Sequence, residues 1–189
     1  MLARCLSASL HGLEAKPVTV EVDLAPGLPG IQLVGLADKA IQESRERVRS
    51  ALRNSGFRGP LVRVVINLAP ADRRKEGPAF DLPIALGLLV ASGQLDRPKL
   101  DGLWCAGELG LDGSLRPCRG VIALADLARQ QGARALIVPP TNAPEAALIQ
   151  TSRFGQPATS SSWCNSSKGN ARLSALSTTH RLSRPPLPP

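Results

Sequence analysis

Asn67-Leu-Ala-Pro-Ala-Asp-Arg-Arg-Lys-Glu-Gly-Pro-Ala-Phe-Asp-Leu-Pro-Ile-Ala-Leu-Gly-Leu-Leu-Val-Ala-Ser-Gly93 is the stretch on which the fold of this chain turns. It continues from Leu61 to Leu68, an apolar run broken by Arg63 and Asn67, as expected of a strand buried in a sheet. A charged Gly-Pro loop follows. Pro83 then fits the first turn of a helix in which Ile84, Leu86, Leu88, Leu89 and Val90 leave little polar surface, so this helix belongs in the core. Strand end, loop and helix start meet at the kind of junction where function is often placed, yet the loop carries no evident nucleophile.

Upstream, apolar residues alternate from Leu2 to Leu10 and again from Pro17 to Leu24 around a Gly12 to Lys16 connection, which predicts an antiparallel hairpin. Ala25-Pro-Gly-Leu-Pro-Gly30 reads as a turn and Ile31 to Leu36 as a third strand, with Gly35 marking an end or a close backbone approach. Asp38 is placed to cap a helix reaching about Asn54, because Ile41, Ser44, Val48, Ala51 and Leu52 share one face and Gly56 supplies a stop. The opposite face holds Lys39, Glu43, Arg45, Glu46, Arg47, Arg49 and Arg53. The two glutamates interrupt any basic stripe there, so a solvated face with local ion pairs is the favoured reading.

Downstream, Leu103 to Leu109 and Leu115 to Pro117 flank Leu111-Asp-Gly-Ser114, which predicts a second hairpin. Gly120 to Gln131 has helical periodicity through Val121, Leu124, Ala125 and Ala128; Ala135 to Val138 is a short buried strand; a last helix starts at Asn142 with Pro144 in its first turn. Residues 1–150 are therefore expected to form one domain. Residues 151–189, rich in Ser, Arg and Pro, read as a disordered basic tail, and the loss of helical periodicity in mid-course is also what a reading-frame change near residue 151 would leave.

The net charge of +8 divides unevenly along the chain. Residues 1–150 contribute +3 and the acid-free remainder +5, so bulk electrostatics alone does not establish nucleic-acid binding by the domain. With three Phe, two Trp and no Tyr, there is little aromatic surface on which to stack bases. Cys5, Cys105, Cys118 and Cys164 show no Cys-x-x-Cys spacing and lie far from His11 and His180, which argues against structural zinc. No apolar run approaches membrane-spanning length and no secretory segment follows Met1; a reducing cytoplasmic setting is expected, with the thiols as small apolar fillers.

Val18-Thr-Val-Glu-Val, Gly27-Leu-Pro-Gly, Val34-Gly-Leu, Glu43-Ser-Arg-Glu-Arg-Val-Arg-Ser-Ala-Leu, Asn54-Ser-Gly-Phe, Asn67-Leu-Ala-Pro-Ala-Asp, Lys75-Glu-Gly and Phe80-Asp-Leu-Pro-Ile-Ala-Leu-Gly stand in this order. Together they resemble the N-terminal, ChlI-like domain of magnesium-chelatase-like AAA ATPases of the ComM competence type, over about residues 1–150. Each motif alone is weak; their order and spacing make the likeness specific. The resemblance implies an α+β fold of the Lon proteolytic-domain type, also described as ribosomal small-subunit protein five domain two-like. It further implies a following ATPase module that uses ATP and Mg, and a hexameric ring that remodels or branch-migrates DNA in natural transformation. The 189 residues contain no Gly-x-x-x-x-Gly-Lys-[Ser/Thr] loop, so no cofactor is expected in this chain, which reads as a truncated, non-catalytic fragment serving assembly or DNA contact.

The alternative is a stand-alone hydrolase of Ser-Lys peptidase type. Lon-type enzymes carry the nucleophile in a Gly-Pro-Ser-Ala-Gly loop and a lysine base in a later helix, close enough to accept the hydroxyl proton. Here Gly77-Pro-Ala-Phe-Asp81 puts Ala79 in the serine's place, and the helix from Gly120 to Ala128 has no lysine, so this alternative is disfavoured. The resemblance leaves Arg73, Arg74 and Lys75, with Arg45 and Arg49, as candidate contacts for a nucleic-acid backbone or a neighbouring ATPase module or like subunit. Glu76 and Asp81 are expected to cap the next helix and to pair with the basic trio.

Overall fold

The computed structural model describes residues 1–96 and 100–151. Of the expected tail over 151–189, Thr151 is described, as the end of a helix, and the rest lies outside the described residues. The strands are β1 (Leu2–His11), β2 (Glu14–Ala25), β3 (Gly30–Val34), β4 (Arg63–Ala69), β5 (Leu103–Cys105), β6 (Glu108–Leu109), β7 (Leu115–Arg116) and β8 (Ala135–Ile137). The helices are α1 (Lys39–Asn54), α2 (Asp81–Ala91), α3 (Val121–Gln130) and α4 (Ala143–Thr151).

Six strands form one mixed sheet in the order β3-β4-β2-β1-β5-β8. The pairs β1–β2 and β2–β4 are antiparallel, whereas β3–β4, β1–β5 and β5–β8 are parallel. This is a mixed α and β architecture, compatible with the expected α+β class. Because β1 alternates, Ala3 and Cys5 enter one core with Val18, Val20 and Val22, and Leu6 and Ala8 enter a second. The first core lies under α1 and α2; the second holds Trp104, Leu136 and the inner residues of α3.

Every residue of α2 is buried, from Asp81 to Ala91, in keeping with a sequence that is apolar from Leu82 onward. Gly87 lets it approach β2: a Cβ there would stand 2.6 Å from Val22 Cγ2. The inward face of α1 is Ile41, Ser44, Val48, Ala51 and Leu52, the set predicted by periodicity, and the Asp38 carboxylate accepts from Ile41 N at 2.8 Å as its cap. Gly35 adopts φ +102, and a Cβ there would fall 2.4 Å from Leu68 O, so the turn out of β3 depends on a residue without one.

Two boundaries differ from expectation. The first hairpin closes on Gly12 and Leu13 alone, with Gly12 at φ +65, so β2 begins at Glu14. Pro17 is tolerated inside β2 because pairing with β4 starts only at Thr19, leaving no ladder bond for the missing N–H. The run Leu103–Leu109 is divided: β5 joins the main sheet, while only Glu108–Leu109 forms the small hairpin with β7. The break falls at Gly107, whose N–H donates to Ala79 O at 2.9 Å and whose C=O accepts from Leu82 N at 3.0 Å. Those two bonds tie the chain to the start of α2 and withdraw it from the hairpin.

Candidate functional site

The junction between β4 and α2 begins as a loop at Pro70 and ends in a short 3-10 turn, Pro78–Phe80. It is pinned against the start of α1. Lys75 N donates to Leu36 O at 3.1 Å, and Asp38 N donates to Lys75 O at 3.1 Å. Asp38 Oδ2 also accepts from Gly77 N at 2.9 Å, so one carboxylate caps α1 and holds the loop.

The basic trio is not a set of three outward cations, as the loop composition led one to expect. Lys75 is fully buried, and its Nζ donates to Gly35 O at 3.2 Å and to Pro70 O. It crosses from the loop's own start to the turn after β3, and burial pulls its amine below the usual lysine range. A fully buried amine with two of its three N–H groups on backbone carbonyls has no place for a phosphate. Arg73 and Arg74 do point to solvent, beside Asp72 at 4.0 Å and Glu76 at 3.3 Å respectively.

Asp81 does not cap α2, whose cap position is Phe80, nor does it pair with the loop. It receives a two-point contact from Arg47 of α1: Nε donates to Oδ2 at 2.7 Å and an Nη to Oδ1 at 3.0 Å. Leu109 N adds a bond at 3.1 Å, so a wholly buried carboxylate links α1, α2 and β6. Burial lifts the Asp81 carboxyl above its usual range, while Arg47 and the Leu109 amide act in the opposite sense. The guanidinium in turn is held more firmly protonated, chiefly by its hydrogen bond to Asp81. The spacing of Arg47 and Asp81, 34 residues apart, gives no sequence signal for this contact.

Arg45 and Arg49 lie elsewhere. From the Asp38 cap they are displaced by about 10 and 16 Å of helix rise, so they do not complete a patch with Arg73 and Arg74 through any bond among the described residues. Arg45 is half-buried, donating to Gln42 O at 3.0 Å and to Ile31 O at 3.4 Å; Arg49 is exposed. Ala79 is partly buried with its carbonyl committed to Gly107. Cys5 and Cys105 face one another in the core with Sγ atoms 3.3 Å apart, and burial drives the Cys118 thiol up to about 12. Among the described residues no group of three or more His, Cys, Asp or Glu could hold a metal, and no helix is long and apolar enough to cross a membrane.

The fold and this junction belong with a defined class: the family model for Subunit ChlI of Mg-chelatase matches residues 20–142, and the chain belongs to that family. Among curated relatives, it is 48% identical over 157 residues to Competence protein ComM of Haemophilus influenzae, an alignment covering 82% of this chain and 31% of that protein. It is 49% identical over 138 residues to YifB of Escherichia coli (strain K12), covering 73% of this chain and 27% of the relative. A Mycobacterium bovis protein, Mb2921c, is 41% identical over 148 residues, covering 78% and 29%. The chain thus spans about 30% of the length of these relatives.

Proposed function

We propose that this chain acts as a non-catalytic accessory domain of a ComM-like AAA ATPase associated with DNA branch migration and natural transformation, serving assembly or DNA contact on a Lon proteolytic-domain-like scaffold. The observation that carries the reading is the junction before α2. Where a Ser-Lys peptidase of that fold would need a free hydroxyl, Ala79 stands with its carbonyl on Gly107, and the nearby Lys75 amine is spent on two carbonyls. A nucleophile without a base within hydrogen-bond reach has no means of activation, and here the nucleophile is missing as well. ATP and Mg belong, in this reading, to the ATPase module and not to these residues. The DNA role draws on Arg73 and Arg74, which are exposed and can neutralise phosphates without reading bases.

The test is fluorescence anisotropy of the purified chain on labelled DNA over a salt series. Replacing Arg73 and Arg74 by Ala is expected to weaken binding and flatten the salt dependence by about one slope unit per lost phosphate contact. Unchanged binding would remove DNA contact from this loop, and hydrolysis of ATP or of a casein substrate by the pure chain would overturn the non-catalytic assignment.

A further inference from the structure

We propose that the free edge of β3, with the arginine row of α1 that starts at Ile31 and runs on past the Gly30 end, docks an extended, acidic segment of a partner protein by strand addition. This assigns Arg45 and Arg49 to a protein partner, and it rests on the functional reading above only in taking the domain to work within an assembly.

β3 is the outermost strand of the sheet and, among the described residues, pairs on one side only, with β4. Natural edges are usually guarded by Lys, Pro, a bulge or a covering element. Gly30-Ile-Gln-Leu-Val34 contains none of those residues, and Gly30, Gln32 and Val34 are exposed. The carbonyl of Ile31 meets the Arg45 guanidinium at 3.4 Å, a loose contact that an incoming strand can displace. Within a strand, the N–H and C=O of one residue face the same way and alternate along the chain, so Ile31 and Leu33 offer two donors and two acceptors at the open edge.

Because β3 and β4 run parallel, α1 must carry the chain back from the Val34 end to the Gly30 end. Arg45 marks the level of Ile31, and Arg49 and Arg53 continue the row at four-residue spacing toward the β2–β3 turn. Arg49 and Arg53 are exposed, with no ion-pair partner among the described residues. Glu46 is the exposed acid nearest the row; Glu43, further round the helix, lies 3.9 Å from Arg47. Successive cations of the row rise by about 6 Å, and alternate side chains of an added strand repeat at about 6.6 Å. Within the ladder the added strand meets Arg45, and where it continues past the Gly30 end an acid at every second position keeps step with Arg49 and Arg53. Exposed Leu28 and Leu36, at 89% and 57% accessibility, flank the two ends of β3 and give apolar contacts to the same ligand. The segment after residue 151 does not suit the role, since it holds basic residues and no acid. A nucleic-acid strand would use the arginines but leave the edge amides unpaired.

The experiment uses the full chain and a labelled peptide alternating Thr and Glu. Binding by anisotropy is expected, with amide exchange at Ile31 and Leu33 slowed by about tenfold or more at saturation. N-methylating the peptide at alternate residues, which blocks the ladder without altering the protein, is expected to abolish binding. Arg45→Glu with Arg49→Glu is expected to weaken the Thr-Glu peptide by at least about tenfold and to shift preference to a Thr-Lys peptide. Absence of binding, indifference to N-methylation, or displacement by a single-stranded oligonucleotide with Ile31 and Leu33 still exchanging freely would each overturn the proposal. Arg73 and Arg74 lie outside this surface, so their DNA test fails or succeeds separately.

Discussion

Two basic regions of this domain have opposite fates. Around the loop before α2, Arg73, Arg74 and the acids beside them stay exposed, but the other charges are turned inward: Lys75 braces two carbonyls, Asp38 holds Ile41 N and Gly77 N, and Asp81 takes both arms of Arg47. Along the β3 edge charge is turned outward, where Arg49 and Arg53 meet solvent. Both stretches look alike as composition. The difference teaches that a cation is available to a partner only when the chain's own unsatisfied carbonyls and carboxylates are not near enough to claim it.

Mutations sharpen this contrast, beginning with the most damaging. Asp81→Ala strands a largely buried guanidinium and leaves Leu109 N without its acceptor, so a loss of roughly 3 kcal/mol or more is expected in urea denaturation. Lys75→Met keeps the volume but removes both backbone bonds; about 1–3 kcal/mol should go, whereas Arg73→Ala and Arg74→Ala should stay within about 0.5 kcal/mol. If all three behaved alike, the distinction between the strut and its neighbours would collapse. Asp38→Ala removes a helix cap and the Gly77 bond together, for about 1–2 kcal/mol, visible as a lowered Tm.

The smallest effect concerns pH. On the sheet face away from α1 and α2, Glu21 accepts from Asn67 Nδ2 at 3.0 Å and from Arg4 Nε at 3.0 Å, and the Asn67 bond chiefly holds its carboxyl below the usual 4.5. A lowered folded value means the unfolded chain binds the proton more readily. Glu21 therefore contributes its full stability above about 4.5 and loses it as pH falls through the lowered value. Glu21→Gln should flatten that part of the acid-denaturation profile and leave neutral pH little changed; an unaltered acid limb would refute the assignment.

Much of the fold was legible before any coordinates. The faces of α1 and α2 follow from 3.6-residue periodicity, Gly35 does mark a close approach, and the Asp38 cap sits where a short polar side chain precedes an apolar repeat. The division of Leu103–Leu109 was not legible, because a continuous apolar run says nothing about which strand each half will pair with. Nor was the Arg47–Asp81 contact: its partners lie on different helices, and Asp81 by local pattern alone is an ordinary first-turn acid.

Sequence by itself determined most of the elements, the buried helix and the family, since each depends on residues close together or on motif order. Tertiary structure alone decided which charges are spent and which remain. Lys75 is claimed by carbonyls 5 and 40 residues away and Asp81 by a guanidinium 34 residues away, while Arg49 and Arg53 meet no ion-pair partner among the described residues, because only chain crossing brings a charge to its acceptor in a place from which water is excluded.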